Sequence, residues 1–194
     1  MDRYLLCMTG ASGAIYGIRL MAAISRAPGT ELHLVASSWA ERVVSEETGL
    51  PLSEHIARLG SSRIVRHAPD DLAAAVSSGS FRLTATVIAP CSIATAGAIA
   101  AGVVQNLVHR AGAVALKEGW PLVLVPRESP LSLVALRVLV SLKEAGAVIL
   151  PASPGFYARP ATIDDLVDHV VARICDTIGI EVPDAHRWKE EGEE

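Results

Sequence analysis

Arg127 and Glu128 follow directly on an unbroken apolar run, PLVLVP, and lead into Ser129 and Pro130. A cation and a carboxylate at the end of a buried strand stand at the rim of whatever crevice the strand ends form. Arginine can grip phosphate through two parallel hydrogen bonds, and a neighbouring glutamate can relay protons; the same pair would also suit an ordinary salt-bridged loop. Gly10-Ala11-Ser12-Gly13 closes another short apolar run, YLLCM, and opens a helical pattern. Free backbone N–H groups at a helix start attract phosphate, and glycine lets it approach the chain, although glycine turns after a first strand are common in their own right. The segment is not G-x-G-x-x-G, and no acidic residue ends the second strand to take a ribose, which speaks against a dinucleotide.

Cys91-Ser92-Ile93-Ala94-Thr95 repeats the arrangement after the strand TATVIAP. Hydroxyls at a helix start usually cap it, but two such starts on one sheet edge could be spanned by one phosphorylated ligand. Cys91 reads as a buried structural thiol. Arg110 and Lys117 lie seven residues apart, two helical turns, and so share a helix face. Such a pair makes a solvated basic stripe or one that faces a phosphate. Tyr157 sits in PGFYARP, fixed between two prolines, where its hydroxyl could reach a phosphate. Arg173 lies on the apolar stretch VVARIC and, if buried, needs an anion, which would be a ligand or else Asp164 or Asp168. The six histidines show no metal-ligand spacing, and three widely spaced cysteines give neither a disulfide framework nor a zinc motif.

The elements that must carry these residues alternate. Strands are expected at 4–8, 31–36, at RIVRH, TATVIAP, PLVLVP and AVILP. Helices are expected from the glycine turn to Pro28, from Ser37 and Ser38 through Thr48, at LSEHIARL, and at 92–101, 106–118, 131–145 and 163–178. Such alternation implies a mostly parallel sheet covered on both faces, with ligands outside the carboxyl ends of its strands where strand order reverses. With 194 residues, 51% hydrophobic and 20% charged, the chain fits one domain with a full core. Its net charge of −4 and lack of a basic block exclude non-specific nucleic-acid binding. The uncharged stretch 83–109 holds Pro90, Gln105 and Asn106 and reads as strand, turn and helix rather than a membrane span. A soluble cytoplasmic protein is expected, with residues 1–180 as the domain and the charged 181–194 as a C-terminal arm.

Taken in order, MTGASGAIYGIRL, VSSGSF, VIAPCSIAT, NLVHRAGAVALKE, PLVLVPRESPLSL, GAVILPASPGFYARPATIDDLVDHVVARI and the late RW resemble the flavin prenyltransferase family (UbiX- or Pad-type) over almost the whole chain. The resemblance implies a flavodoxin-like three-layer α/β fold and a homo-oligomer, typically a dodecamer, with active sites at subunit interfaces. It implies a metal-free transferase that joins the dimethylallyl group of dimethylallyl phosphate, or the pyrophosphate in some members, to N5 and C6 of reduced FMN. The prenylated FMN then serves UbiD-type decarboxylases. Carried onto this sequence, the FMN contacts fall on Gly10, Ala11, Ser12, Ser37, Ser92, Ile93, Ala94, Thr95 and Arg127, with Trp188 reaching in from the tail. The prenyl-phosphate contacts fall on Lys117, Arg127, Tyr157 and Arg173, with Arg110 nearby; Ser12, Glu47 and Glu128 take the catalytic roles. The sequence departs from the family pattern at Leu72, where many members carry a pocket tryptophan, and in SIAT, Ser129 and Trp120. Two other readings stand beside this one: an FMN-dependent cysteine decarboxylase of the same fold, for which His67 is the sole histidine support, and a non-catalytic FMN-binding or electron-transfer protein.

Overall fold

The computed structural model describes residues 1–60 and 63–182. Among them six strands form one sheet: β1 (Asp2–Met8), β2 (Thr30–Ala36), β3 (Ile64–His67), β4 (Ala85–Cys91), β5 (Leu122–Pro126) and β6 (Val148–Ile149). Every pairing is parallel, and the order is β3-β2-β1-β4-β5-β6. With the short edge strand β3 set aside, this is the 2-1-3-4-5 order of flavodoxin-like sheets. The chain winds outward one way from β1 and the other way from β4, so the crevice between their carboxyl ends is the switch point.

Helices α1 (Ala14–Arg26), α2 (Ser38–Thr48), α3 (Leu52–Leu59) and α7 (Ile163–Ile178) cover one face. Helices α4 (Ile93–Ala100), α5 (Leu107–Glu118) and α6 (Leu133–Glu144) cover the other. The period-two rule of a strand divides the core between them. Tyr4, Leu6 and Met8 of β1 join the first cluster, with Leu20, Met21, Ile24 and Ile174. Leu5 and Cys7 join the second, with Ile88, Leu107, Ala111 and Leu124. Central strands wholly buried on both faces explain why β5 is an uninterrupted apolar run and why β4 is broken only by Thr86.

The expected elements are present, with one contraction. AVILP, expected as a strong strand, pairs only through Val148 and Ile149. It lies at the sheet edge, and Pro151 has no N–H with which to extend the ladder. The helix starts follow local chemistry: the side chains of Ser37, Ser92, Asn106, Ser132 and Thr162 each accept a backbone N–H from the first turn of α2, α4, α5, α6 and α7. Helices α1 and α3 are the exceptions: their N-caps are Gly13 and Pro51, neither of which has a side-chain acceptor to offer.

Candidate active site at the strand switch point

The carboxyl ends of β1, β2 and β4 are tied to one another. Thr9, buried, donates its hydroxyl to the Pro90 carbonyl at 2.7 Å and accepts the Ser92 N–H at 2.8 Å. The Ser37 N–H reaches the Met8 carbonyl at 3.1 Å. Two helix starts are thereby held beside the glycine turn. At α2 the Ser37 hydroxyl oxygen accepts from the Ala40 N–H. At α4 Ser92 Oγ accepts the Thr95 N–H at 3.2 Å and donates to Thr95 Oγ1 at 3.0 Å. Ile93 and Ala94 lie in that first turn, Ala94 exposed. Loss of the Thr9 hydroxyl should therefore be felt at the Ser92 turn. Thr9→Val is expected to destabilise the protein by about 1–3 kcal/mol, the range for a buried donor left unpaired. It should also weaken flavin binding, while Thr9→Ser keeps both near the parent values; denaturant unfolding and flavin titration measure the pair.

The α1 start does not offer the open phosphate cradle expected of Gly10-Ala11-Ser12-Gly13. Glu47, from the last turn of α2, places its carboxylate there and accepts the Gly13 N–H at 3.1 and 3.0 Å and the Ala14 N–H at 2.8 Å. A helix N-terminus favours an anion, and here the chain supplies its own. Gly13 sits at φ 100°, a conformation glycine adopts freely. Gly10 is required for a different reason: a Cβ there would lie 2.6 Å from Cβ of Trp39, whose ring is largely exposed at the start of α2 beneath the Arg42 guanidinium. Ala11 is buried and Ser12 is exposed. Arg127, half-buried at the end of β5, donates Nε–H to the Ser12 carbonyl at 3.0 Å. It makes no ion pair with Glu128, which is exposed beside it. Ser12, Ser37, Glu47, Ser92–Thr95, Arg127 and Glu128 therefore share one sheet edge.

The remaining cations are elsewhere. Arg110 donates Nε–H to the Ser77 carbonyl at 2.9 Å. Lys117 pairs with Glu118 at 2.6 Å, and its Nζ would lie 3.2 Å from a Cβ at Gly79. Both thus face the 77–79 segment, as their spacing implied. The chain reaches Pro121, whose carbonyl takes the Thr86 N–H near the start of β4, only a few residues after Lys117. Lys117 consequently stands toward the amino edge of the sheet, opposite Arg127. Tyr157 is bonded through its hydroxyl to His169 Nε2 at 2.9 Å, and Arg173 lies one turn beyond His169 on α7. Arg173, expected to need a ligand anion or else Asp164 or Asp168 if buried, is not buried: its side chain is 62% exposed and bonds Asp176 at 3.2 Å. Asp164 and Asp168 belong to Arg19, at 2.8 and 3.9 Å. Trp188 lies outside the described residues. One chain therefore brings Tyr157 and Arg173 to a common stripe but keeps Lys117 apart from Arg127.

A groove of about 880 Å³ between α1, α7 and the 155–161 loop, lined by Arg19, Arg26, Arg159, Asp165 and His169, contains none of the expected site residues. Cys91 is wholly buried, and burial pushes its thiol up to about 12, which suits a structural thiol. His67 is bonded to His33 Nδ1 at 2.9 Å, and His33 Nε2 in turn meets Glu31 at 2.7 Å. Burial holds both imidazoles below the usual range. Among the described residues no cluster of three or more His, Cys, Asp or Glu could hold a metal ion, and no helix is long and apolar enough to cross a membrane. Thr9 and His169 were not legible as site residues: a threonine before a glycine and a histidine on a helix carry no motif, and only the folded sheet edge shows what they touch.

A doubly wound α/β protein with hydroxyl-bearing helix starts at its switch point is a nucleotide-type binding protein, and the chain's residues 1–175 match the family model described as Flavoprotein. The flavin prenyltransferase UbiX of Pseudomonas aeruginosa (strain PAO1) is 45% identical over 202 residues, covering 98% of this chain and 95% of that protein. The crystal structure of a dodecameric FMN-dependent UbiX-like decarboxylase from Escherichia coli O157:H7 superposes with a TM-score of 0.90 at 44% identity, covering 96% of this chain and 98% of that one. That of AnUbiX (PadA1) in complex with FMN and dimethylallyl pyrophosphate also gives 0.90, at 42% identity over 96% and 97% of the two chains. The chain belongs to the UbiX-type flavin prenyltransferase family.

Proposed function

We propose that this protein joins the dimethylallyl group of dimethylallyl phosphate or pyrophosphate to reduced FMN, and that it does so as a homo-oligomer whose sites are completed between copies. The product, prenylated FMN, would be consumed by UbiD-type decarboxylases. The observation that carries the reading is the switch-point edge, where three strand ends are locked together beside Ser12, Ser37, Ser92–Thr95 and Arg127. These residues fit FMN. The hydroxyls and first-turn amides of α2 and α4 suit a phosphate and a ribityl chain, and Gly10 keeps the backbone low beside Trp39. Reduced FMN bound there supplies the nucleophile.

The chain's own residues do the rest. Arg127, anchored through Nε to the Ser12 carbonyl, makes no other hydrogen bond among the described residues, so its terminal nitrogens can meet a phosphate oxygen. Cations gathered around the leaving phosphate stabilise the charge that develops as its C–O bond breaks, and preorganised donors do this without reorganisation cost. Glu128 stands free at the rim to move a proton. Glu47, with both oxygens engaged by backbone donors, suits the orienting role better than a proton-carrying one. Lys117, Tyr157 and Arg173 contribute donors to the phosphate from surfaces that a neighbouring copy can bring to Arg127.

Anaerobic incubation with reduced FMN and either donor should yield a flavin heavier by one C5H8 unit, read by mass spectrometry. No adduct with either donor overturns the proposal. Release of CO2 from a peptidyl cysteine would instead favour the decarboxylase, and reversible redox cycling without adduct the electron-transfer protein.

A further inference from the structure

His33 lies in the middle of β2, is only 3% exposed, and takes no part in the reaction proposed above. Its neighbours fix its proton. The Glu31 carboxylate accepts, so His33 Nε2, 2.7 Å away, carries the hydrogen. Nδ1 of the neutral ring is then an acceptor, and His67 Nε2–H, at 2.9 Å, is its donor. The two rings also stack, with centroids 5.2 Å apart and planes at 17°. Phe81 meets His33 edge-on, again at 5.2 Å, and carries the Arg3 guanidinium over its own face. One buried imidazole therefore fastens both ends of the segment 68–80. The middle of that segment is held by α5: the Leu107 N–H bonds the Pro69 carbonyl at 2.7 Å and Arg110 bonds the Ser77 carbonyl. Its approach to Lys117 is close. A Cβ at Gly79 would collide with the Glu118 carboxylate and lie 3.2 Å from Lys117 Nζ, so any shift of the segment displaces the Lys117–Glu118 pair.

We propose that His33 is a positioning residue for the donor phosphate, acting on Lys117 through the 68–80 segment, and that proton uptake by the His33–His67 pair releases that segment. This takes Lys117 as a phosphate ligand, as the proposed function does. Burial disfavours a first added charge on the pair. A second turns both facing nitrogens into donors and sets two cations ring against ring, which breaks the contact. The charged groups facing the pair are Glu31 and Arg3 around His33 and Asp71 beside His67. The carboxylates favour the charged rings and Arg3 opposes them, while α5, packed against β2, adds apolar Leu107, Val108 and Ala111. His109 of α5 is engaged by the Gln105 N–H. Burial outweighs the carboxylates and holds both rings below the ordinary value of 6.5. An opened segment returns the rings to water and to that value, and so binds more protons than the closed one. Closure is then complete above about pH 6.5 and weakens as pH falls below it.

The test compares the parent with His67→Gln, whose amide keeps a donor toward His33 Nδ1 but cannot titrate, and with His67→Leu, which keeps neither property. Calorimetry measures dimethylallyl phosphate binding to each chain loaded with oxidised FMN, from neutral to acid pH. At neutral pH His67→Gln should bind the donor as the parent does and His67→Leu several-fold more weakly, with FMN affinity equal in all three. Below about pH 6.5 the parent should lose donor affinity more steeply than His67→Gln, by up to about tenfold per pH unit for each extra proton. The donor phosphate itself titrates near pH 6 against every chain, so the difference between the two is the readout. Amide hydrogen exchange over residues 68–80 at the same acid pH should be faster in the parent than in His67→Gln. A shared acid profile, exchange that does not distinguish the two chains, or FMN affinity falling along with donor affinity overturns the proposal. Donor binding with the expected profile but no C5H8 adduct from reduced FMN refutes the transferase and leaves the positioning role in place. Adduct formation with a shared acid profile does the reverse, and no donor binding at any pH overturns both.

Discussion

Chains carrying Lys117→Ala or Arg127→Ala should each form prenylated flavin at least about a hundredfold more slowly than the parent, the usual cost of removing one preorganised donor from a developing anion. Co-assembled from equal amounts of both variants, the protein should recover activity. If each site draws Lys117 from one copy and Arg127 from another, about a quarter of the sites in a random assembly hold both native residues. The reason is how far apart one chain holds the two residues. Lys117 lies ten residues into α5, about 15 Å along its axis from Leu107, and α5 runs from the Pro69 carbonyl, bonded by the Leu107 N–H, toward the amino edge near Pro121. Arg127 sits at the carboxyl edge, on the Ser12 carbonyl. No side-chain rotation closes a gap that spans the sheet, so a phosphate held by both needs two chains. A mixture no more active than the sum of its parts would place both residues in one site by some other route, or take Lys117 out of the reaction.

That division explains what could be read in advance. Helix starts at Ser37, Ser92 and Asn106 are local: the cap and the amide it accepts are three residues apart, and Ser37 and Ser92 each follow directly on a largely apolar strand. The sheet order follows from alternation, and the site edge follows from the order. Glu47 is different. It closes the α1 start from 33 residues away, and nothing in GASG announces that its amides are already taken. Arg173 misled for a related reason. VVARIC is apolar by count, but a helix distributes those residues around its axis, leaving Val170, Val171 and Ala172 inside and Arg173 outside beside Asp176. The cation cluster was legible as a set of residue types and illegible as a place, because its members sit on separate elements of one chain.

The two carboxylates of the switch point should fail in different ways. Glu47→Ala leaves Gly13 and Ala14 amides without their acceptor and removes the anion from the α1 dipole. Because the site is exposed, water takes over part of the loss. The expected cost is about 1–2 kcal/mol in unfolding free energy, that of a lost helix cap, with a several-fold weaker grip on FMN as the glycine turn loosens. Glu128→Gln touches no hydrogen bond that holds the fold. Stability and flavin affinity should stay at parent values while turnover falls by about 10²–10⁴, the range for removing a general acid or base. Denaturant unfolding, flavin titration and single-turnover adduct formation on both variants separate the roles. Parent-like unfolding and flavin binding for Glu47→Ala with lost turnover would make Glu47 the proton carrier. Full turnover for Glu128→Gln would leave the bound phosphate to move the proton itself, with Arg127 as the group that holds it in place.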